Sequence, residues 1–350
     1  MKYLKWLLLF ILLPLLIVVL FLLYSVVTDY RPAEVEDSIS LIRNGKVLNI
    51  SKPLEITTYN IGYAGLDKGQ NFFMDGGTSS RSLSKEKTTE NLNAIMTFLK
   101  AKKSDVYLLQ EVDRWADRSY EIDEIDKVTN ALLGYNASFA YNYRANWVPV
   151  PLLKPMGTVK SGILTLSKAD YESSIRYTLP GDEPIPKRYF DLKRCVMQNT
   201  YQLSNGKQLI LINIHLSAFD KGGEIRAKQI DWLSKHLQGL YKKEDNYVVV
   251  GGDWNHILSE KLESKIIGKM PSWVAILPST ILKETGFKMI FDENVNTVRS
   301  LQKSYVEGES FETIIDGFLV SPNVKVLEIK GTKLGYENSD HQPVTIKIGF

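Results

Sequence analysis

The sequence has a single cysteine among its 350 residues, Cys195, and no clear excess of charge of either sign. One thiol excludes an intrachain disulfide, so the hydrophobic core must stabilise the fold, as a chain of this length permits. When Lys2 and Lys5 of the apolar N-terminus are set aside, 41 basic residues remain against 40 acidic ones. Proteins that bind nucleic acid mainly through phosphates usually have a stronger basic excess, so this balance disfavours that class without excluding a local basic groove.

Histidine is also scarce, and the chain has no internal repeat or low-complexity tract. Of the four histidines, His215 ends an apolar run and His341 closely precedes one. His236 falls in a predicted helix of mixed polarity, where a surface position is expected. His256 has no assigned role, and Cys195 lies in a run that predicts a buried side chain.

One stretch departs from the otherwise ordinary composition. Residues 6–27 are 22 almost purely apolar residues with one proline and no charge, enough to cross a hydrocarbon core of roughly 30 Å as a helix. A cleaved signal peptide is the alternative, but its apolar region is usually ~7–15 residues and ends at a small-residue site that is absent here. We expect an uncleaved anchor, with residues 1–5 as a cytoplasmic tail and the large domain outside the cell.

The rest of the chain is predicted to be a polar linker, residues 28–50, and one domain, residues 51–350. Apolar runs predict core strands at 54–60, 105–110, 162–167, 207–215, 246–251, 314–320 and 344–348. A helix after the N-cap Ser84 has an apolar stripe at 92, 95, 96 and 99, and a second helix is predicted at 224–241. Strands alternating with helices, with antiparallel pairs late in the chain, indicate a layered α/β domain.

Polar side chains lie at or close to one end of six of the apolar runs. They are Asn60, Glu111, His215, the triplet Asp253-Trp254-Asn255, Asp316 and the pair Asp340-His341. As an ordered set they resemble the endonuclease/exonuclease/phosphatase family of metal-dependent phosphoesterases, over roughly residues 50–350. The resemblance implies a four-layer α/β sandwich, in which two packed mixed β-sheets are flanked by helices and the site lies at one edge.

The resemblance implies a Mg²⁺ site, with Mn²⁺ as a substitute. Glu111 matches the family's chief metal carboxylate, Asn60 matches a residue that helps to hold metal or phosphate, and Asp340 matches a carboxylate near the metal. Hard cations of this kind prefer such oxygen ligands. One departure is Gly62, where AP endonucleases have an acid, and it puts a second metal at this position in doubt.

The same resemblance assigns catalytic roles. His341 matches the catalytic histidine, which activates water or stabilises the phosphate, and Asp316 matches the acid that orients it. Asp253 and Asn255 match the pair that positions the attacking water and binds the phosphoryl oxygens. His215 matches a second histidine of the DNase I-like and sphingomyelinase-like branches, which AP endonucleases lack.

Three further segments bear on the substrate. The Gly-rich loop at 63–80 is expected to be a phosphate cradle, a lid or a mobile surface loop. If residues 187–194 form a strand, Arg188 and Arg194 share a face, and Arg188 is then a possible phosphate contact. The apolar segment 271–278 is expected to pack in the core rather than to contact substrate.

The sequence therefore predicts a membrane-anchored, extracytoplasmic, metal-dependent phosphoesterase that hydrolyses a phosphodiester or a phosphomonoester. The substrate is a lipid headgroup, a sugar phosphate or nucleic acid, and no obligate protein partner is indicated. An extracellular DNase I-like nuclease is the first alternative. A catalytically inactive binding module is disfavoured, because six residues are retained together: Glu111, Asp253, Asn255, Asp316, Asp340 and His341.

Overall fold

The computed structural model describes residues 2–43, 45, 48, 52–244 and 246–350. The helices are α1 (Lys2–Val27), α2 (Lys85–Lys102), α3 (Glu124–Ala131), α4 (Glu224–Glu244) and α5 (Thr280–Thr285). The strands are β1 (Val35–Asp37), β2 (Ile39–Ile42), β3 (Leu54–Asn60), β4 (Val106–Asp113), β5 (Asn136–Val148), β6 (Gly157–Ser167), β7 (Ser173–Thr178), β8 (Cys195–Gln202), β9 (Gln208–His215), β10 (Tyr247–Asp253), β11 (Lys288–Ile290), β12 (Val298–Arg299), β13 (Glu312–Thr313), β14 (Asp316–Val320), β15 (Lys325–Gly331) and β16 (Val344–Gly349).

Most strands belong to two mixed seven-stranded sheets. One has the order β1-β7-β8-β9-β10-β14-β11 and the other the order β15-β16-β3-β4-β6-β5-β2, while β12 and β13 form a separate short pair. The pairs β9/β10 and β3/β4 are parallel, and the other neighbours in the two sheets are antiparallel. These parallel pairs sit near the middle of each sheet, where the predicted continuous apolar runs are buried on both faces.

Side chains alternate between the two faces of each strand, and this alternation builds the layers. In β9, Leu209 and Leu211 pack between the sheets in a cluster that includes Val249 of β10. The intervening Ile210 and Ile212 face the helix layer that contains α4. On the outer face of the other sheet, α2 and α3 cover a third cluster. The result is the predicted order of helix, sheet, sheet, helix.

The first helix of the domain begins and packs as its sequence predicts. The side chain of Ser84 accepts a hydrogen bond from the Lys87 amide, which satisfies one of the free N–H groups at the helix start. Leu92, Ile95 and Leu99 are fully buried on one stripe against the sheet. This helix therefore holds the outer face of β3 and β4, two of the strands that end at the site.

The segment expected to be a linker instead contributes an outer strand to each sheet. β1 pairs antiparallel with β7, with Val35 opposite Tyr177, and β2 pairs with β5, with Ile39 opposite Phe139. The backbone groups of β7 and β5 would otherwise lie at open sheet edges, and these two short strands satisfy them. Residues 44, 46, 47, 49 and 50 of the expected linker lie outside the described residues.

The N-terminal apolar helix forms as predicted and begins at Lys2, within the expected tail. Its window Phe10–Val27 is long and apolar enough to cross a membrane, and only 6% of it is buried against the rest of the protein. Leu16 and Leu20 are more than half exposed. An apolar helix that is open on nearly all sides is typical of a segment that packs in lipid.

Candidate functional site

Six strand ends meet at one edge of the sandwich. The carboxyl ends of β3, β4, β9 and β10 point to this edge, because parallel neighbours share a direction. β14 runs antiparallel to β10 with Asp253 opposite Asp316, so β14 begins where β10 ends. The Asp340-His341 pair precedes β16, which is antiparallel to β3. Topology thus brings together all of the predicted strand-end residues.

Glu111 reaches the cleft because β4 is irregular at this point. The pairing of β4 with β6 shifts between Leu109 and Val112, and Glu111 has a left-handed backbone with φ of 53°. A bulge of this kind re-aims a side chain, and a non-glycine residue in this conformation is typical of functional sites. Its side chain is 23% exposed, the most open of the carboxylates at the site.

Asn60 joins three of the predicted site residues. Its amide nitrogen lies 3.0 Å from Asp253 Oδ2, 3.2 Å from Glu111 Oε1 and 3.4 Å from His341 Nε2. Its oxygen accepts the Gly62 amide at 3.0 Å, and this bond assigns which end of the side chain is which. Asn60 therefore acts here as a hydrogen-bond donor that holds the carboxylates of Glu111 and Asp253 close together.

Asp316 orients His341. Oδ2 of Asp316 accepts from Nδ1 of His341 at 2.9 Å, and the opposite ring nitrogen lies 3.6 Å from Asp253 Oδ2. Burial disfavours the charged imidazole, but the carboxylates of Asp316 and Asp253 outweigh it and hold the pKa of His341 well above its usual range. The ring is therefore a buried cation facing the cleft.

His215 has the opposite charge state. Its Nε2 lies 3.3 Å from Asp253 Oδ2, and its Nδ1 has no hydrogen-bond partner among the described residues. Burial, together with the charge of Arg194, lowers the pKa of His215 well below its usual range. One neutral and one charged histidine therefore flank the same aspartate, an arrangement that separates their chemical roles.

The buried carboxylates have raised proton affinity. Burial raises the pKa of Asp253 to about 6 and that of Asp340 to about 7, and the nearby charge of Glu111 adds to the shift at Asp340. Asn255 donates its backbone N–H to Asp253 at 2.9 Å and its side-chain amide to the Leu216 carbonyl at 2.7 Å. Asn255 is thus held beside Asp253, as the predicted pairing requires.

The surroundings of Gly62 explain why this chain has glycine where AP endonucleases have an acidic residue. Its φ is +52°, and a Cβ atom there would lie 2.8 Å from Oδ1 of Asp340. Ser339 donates to the Asn60 carbonyl at 2.8 Å and so keeps the segment before Asp340 tight against β3. An acidic side chain has no room at this position, so any metal site must be built from the other carboxylates.

Three arginines line the cleft, and two of them already use their guanidinium groups in hydrogen bonds within the protein. Arg118 forms a two-pronged ion pair with Asp113, at 2.9 and 2.8 Å, and lies over the Tyr63 ring. Arg299 donates to backbone carbonyls of the 66–70 segment and of Ser300. Both of these side chains hold the walls of the cleft.

Arg194 is the unoccupied cation of the cleft and was missed as a site residue. Within the described parts of the chain its guanidinium has no ion pair, and it donates one long hydrogen bond, 3.5 Å, to the His215 carbonyl. Arg188 is not among the residues that line the cleft. The condition for a phosphate contact from Arg188, a strand at 187–194, is not met, because Lys187–Tyr189 form a short 3₁₀ turn after Pro184 and Pro186. The supposed shared face of Arg188 and Arg194 therefore does not exist.

Two other segments complete the walls. Tyr63, Leu66, Phe72 and Asp75 of the Gly-rich loop line the cleft, so this loop forms one side of it. From the 271–278 segment, Val274, Ile276 and Leu277 pack with the core as expected.

Trp273 of that segment lies in the cleft, where its indole N–H donates to Asp75 at 2.8 Å. The apolar segment therefore contributes to both the core and the site.

The remaining histidines lie outside the cleft. His236 is half-buried rather than exposed, since its ring stacks on Trp232 and its Nε2 bonds Gln198 at 2.9 Å. His256 is buried beside the Trp254 carbonyl. Cys195 is fully buried, as expected.

The donor set fits a hard divalent cation. Glu111, Asp253 and Asp340 line the cleft together, and carboxylate oxygens of Asp253 and Asp316 lie within 4.8 Å of each other beside the protonated His341 ring. Oδ1 of Asp316 is buried without a partner among the described residues. Carboxylate oxygens gathered in this number suit Mg²⁺ or Mn²⁺, and a cation would relieve their mutual repulsion.

Comparison with known proteins gives matches to one family. The family model described as "Endonuclease/Exonuclease/phosphatase family" matches residues 57–262. A curated relative, the UPF0294 protein of Vibrio campbellii, is 26% identical over 160 residues, which are 44% of this chain and 52% of the relative. The match therefore spans about half of that relative's length.

Two solved structures show the same fold. The endonuclease/exonuclease/phosphatase of Beutenbergia cavernae is 16% identical, with a TM-score of 0.56 over 85% of this chain and 72% of the other. The mannosyl-6-phosphatase of Bacteroides thetaiotaomicron is 15% identical, with a TM-score of 0.51 over 85% of this chain and 100% of the other. At these identities the likeness concerns the fold alone.

Proposed function

Because the chain belongs to the endonuclease/exonuclease/phosphatase family, whose members act on phosphoester bonds, we propose that it is a metal-dependent phosphoesterase. It hydrolyses a phosphodiester or a phosphomonoester outside the cytoplasm. The observation that carries this proposal is the oriented pair of His341 and Asp316 facing Asp253, which lies in the same cleft as Glu111.

The metal is Mg²⁺ or Mn²⁺, held by Glu111 and Asp340 with Asn60 beside them. Such a cation neutralises charge on the phosphoryl oxygens and makes water a better nucleophile. For Asn60 to become a ligand, its oxygen must leave the Gly62 amide; otherwise Asn60 serves by donating to the carboxylates.

Three protein side chains supply proton transfer, phosphoryl binding and charge stabilisation. Asp253, with a pKa of about 6, is ionised at neutral pH and still basic enough to take a proton from the attacking water. Asn255 is fixed next to it to hold the phosphoryl group. The buried positive charge of His341 supports a role in stabilising the charge that develops on the phosphoryl or leaving oxygen.

The helix α1 anchors this enzyme in the membrane. Lys2 and Lys5 at its start favour a cytoplasmic N-terminus, which places the sandwich on the exterior side. A neutral exterior domain with its own core and no disulfide suits this location, because no redox condition is needed to stabilise it.

An extracellular nuclease is the second candidate, since Arg118, Arg194 and Arg299 line the cleft. A groove for a long polyanion needs several free cations along the backbone. Of these three arginines, only Arg194 has no ion pair or backbone cage among the described residues, so a small phosphoester is favoured. Plasmid nicking measured at increasing salt separates the two, because a nuclease loses activity steeply as salt rises.

The proposal is tested by hydrolysis of bis-p-nitrophenyl phosphate and p-nitrophenyl phosphate by the detergent-solubilised full chain, with Mg²⁺, Mn²⁺ or EDTA. We expect metal-dependent release of p-nitrophenol that is lost in His341→Ala. The preferred ester then says whether the enzyme is a diesterase or a monoesterase. A folded, metal-binding protein that hydrolyses neither ester would contradict the proposal.

A further inference from the structure

The last turns of α1 lie directly on the protein domain. The rings of Phe21 and Phe190 stack in parallel, with centroids 5.6 Å apart and planes within 5°. Ser25, one turn later, is buried. Residues one turn apart occupy the same helix face, so one stripe of the helix leans on the domain while its other faces stay open.

This contact places the Phe190 segment at the depth of the bilayer surface. Phe21 is six residues before the helix end at Val27, which corresponds to about 9 Å along the axis. The candidate span runs to Val27. Apolar protein surface that enters a membrane is typically buried ~5–10 Å, at the boundary between headgroups and acyl chains. Five residues before Phe190 in the chain, Ile185 is 65% exposed and offers apolar surface on the same segment.

The chain leaves the helix without a free linker. Asp29 is 2% exposed in its side chain and lies 3.9 Å from Lys193, while Tyr30 packs edge-on against Tyr141. Five residues later, β1 joins the sheet at Val35. These contacts hold the domain in one orientation at the helix end, so the same surface always faces the membrane.

A continuous groove connects this surface with the catalytic residues. Met74, Leu192, Arg194 and Phe219 line the part next to Lys187, and the same four line the part that includes Glu111 and His215. Beside these apolar side chains the groove carries three carboxylates, Glu183, Asp191 and Asp220. The first two pair with Lys187 and the third with Arg226, so Arg194 is the lining cation left without an ion pair among the described residues. This chemistry suits a phosphate group attached to an apolar chain.

We propose that the rim at residues 185–192 docks into the bilayer beside α1 and that the enzyme takes its phosphoester from an amphiphile resident in that membrane. This inference rests on the proposed phosphoesterase function and narrows its substrate class. The apolar chain stays at the level of Ile185 and Phe190, while the phosphate enters along the groove and meets Arg194.

Two chromogenic diesters that differ only in chain length test the inference. Hexadecyl p-nitrophenyl phosphate inserts in phosphatidylcholine vesicles, and ethyl p-nitrophenyl phosphate stays in water. In both, water adds to phosphorus, the bond to the p-nitrophenyl oxygen breaks, and p-nitrophenolate leaves with the water proton released to solvent. The full chain in these vesicles is expected to hydrolyse the hexadecyl ester at least about tenfold faster, because the chain binds beside the groove.

Ile185→Lys is the diagnostic variant, and Leu133→Lys is its matched control. Leu133 is 83% exposed in a turn at the opposite edge of the sandwich, next to Tyr135, whose hydroxyl bonds Ser104 at the start of β4. We expect Ile185→Lys to slow the hexadecyl ester on the order of tenfold and to leave the ethyl ester unchanged. Leu133→Lys should change neither rate.

The depth of residue 185 in the bilayer can be measured independently of catalysis. A nitroxide at Ile185→Cys should be accessible to oxygen in the bilayer and shielded from a polar relaxation agent, whereas one at Leu133→Cys should lie in water. The native Cys195 is buried and should not react. A water-exposed label at 185, or equal rates for the two esters, would overturn the inference of membrane docking. Neither result would contradict the proposed phosphoesterase function. A shielded label at 185 with no hydrolysis of either ester would overturn the phosphoesterase and, with it, the substrate class.

Discussion

Asp316 and His341 are joined by a buried hydrogen bond of 2.9 Å from Nδ1 of the ring to Oδ2 of the carboxylate. The bond fixes the orientation of the ring and leaves Nε2 facing Asp253. A residue at the start of β14 thus decides how a residue before β16 acts, although 25 residues separate them in the chain.

We expect Asp316→Asn to reduce kcat on the order of 100-fold or more with little change in KM, because the ring loses its charge partner and its orientation. Since the Asp316 carboxylate helps to raise the pKa of His341, its removal should also move the alkaline limb of the pH–rate profile to lower pH. The measurement is kcat as a function of pH. An unchanged kcat with an unchanged profile would show that Asp316 is only a turn residue.

Arg194→Gln should raise KM for small phosphoesters by about tenfold or more, because a hydrogen bond to a charged group is worth roughly 1.5–3 kcal/mol. The matched control is Arg188→Gln, which removes a cation six residues away that does not line the cleft. Steady-state kinetics of both variants decide between the two arginines. A larger effect on KM from Arg188→Gln would restore the assignment based on the sequence.

Without metal, the acidic cluster should make stability depend on pH. The pKa values of Asp253 and Asp340, about 6 and about 7, exceed the value of about 3.9 for an unfolded Asp. The folded protein therefore holds protons that the unfolded chain has lost, and this stabilisation is lost as pH rises through about 6 to 7. The raised pKa of His341 acts in the same direction, while the lowered pKa of His215 opposes it near pH 6.5.

In EDTA, Tm should therefore fall between about pH 5.5 and pH 8, and Asp340→Asn should flatten this fall by roughly 2–4 °C. Added Mg²⁺ should raise Tm more at pH 8 than at pH 5.5, because it replaces protons on the same oxygens. Calorimetry of the wild type and the variant supplies the comparison. The expectation fails if the two proteins show the same dependence on pH.

Gly252 is required for the strand that carries Asp253. Its φ is +153°, and a Cβ there would lie 2.1 Å from the Ile214 carbonyl oxygen in β9. We expect Gly252→Ala to cost about 3 kcal/mol or more of the free energy of unfolding. The control is Gly239→Ala within α4, where a Cβ meets nothing, and where alanine should stabilise by roughly 0.5–1 kcal/mol. Urea denaturation of both variants tests the pair, and equal effects would contradict the account.

The sequence predicts the strand ends well because β3, β9 and β10 are short runs buried on both faces, with a polar residue directly after the apolar ones. Asn60, His215 and Asp253 could therefore be placed at one edge before any contact was known. The outer strands were not predictable in this way. β1 and β2 are short and half-exposed, and they form only because partners more than 90 residues away offer open edges.

The suggestion that Arg188 contacts a phosphate lost its basis for a local reason. The argument assumed a strand with period two, whereas prolines at 184 and 186 favour the turn that the structure shows. The bulge at Glu111 could not be predicted from the sequence either, because an irregularity in the pairing of β4 with β6 depends on two distant segments. The grouping of these strand-end residues at one edge was thus accessible from the sequence, and their orientation was not.

The most direct test of the central claim is the rate of bis-p-nitrophenyl phosphate hydrolysis as a function of Mg²⁺ concentration for wild type and Glu111→Gln. Glu90→Gln, a change at an exposed residue of α2, is the control. The account predicts no turnover in EDTA, saturation with Mg²⁺, and a half-saturating concentration at least about tenfold higher in Glu111→Gln alone. Turnover that persists in EDTA, or the same half-saturating concentration in all three proteins, would contradict it.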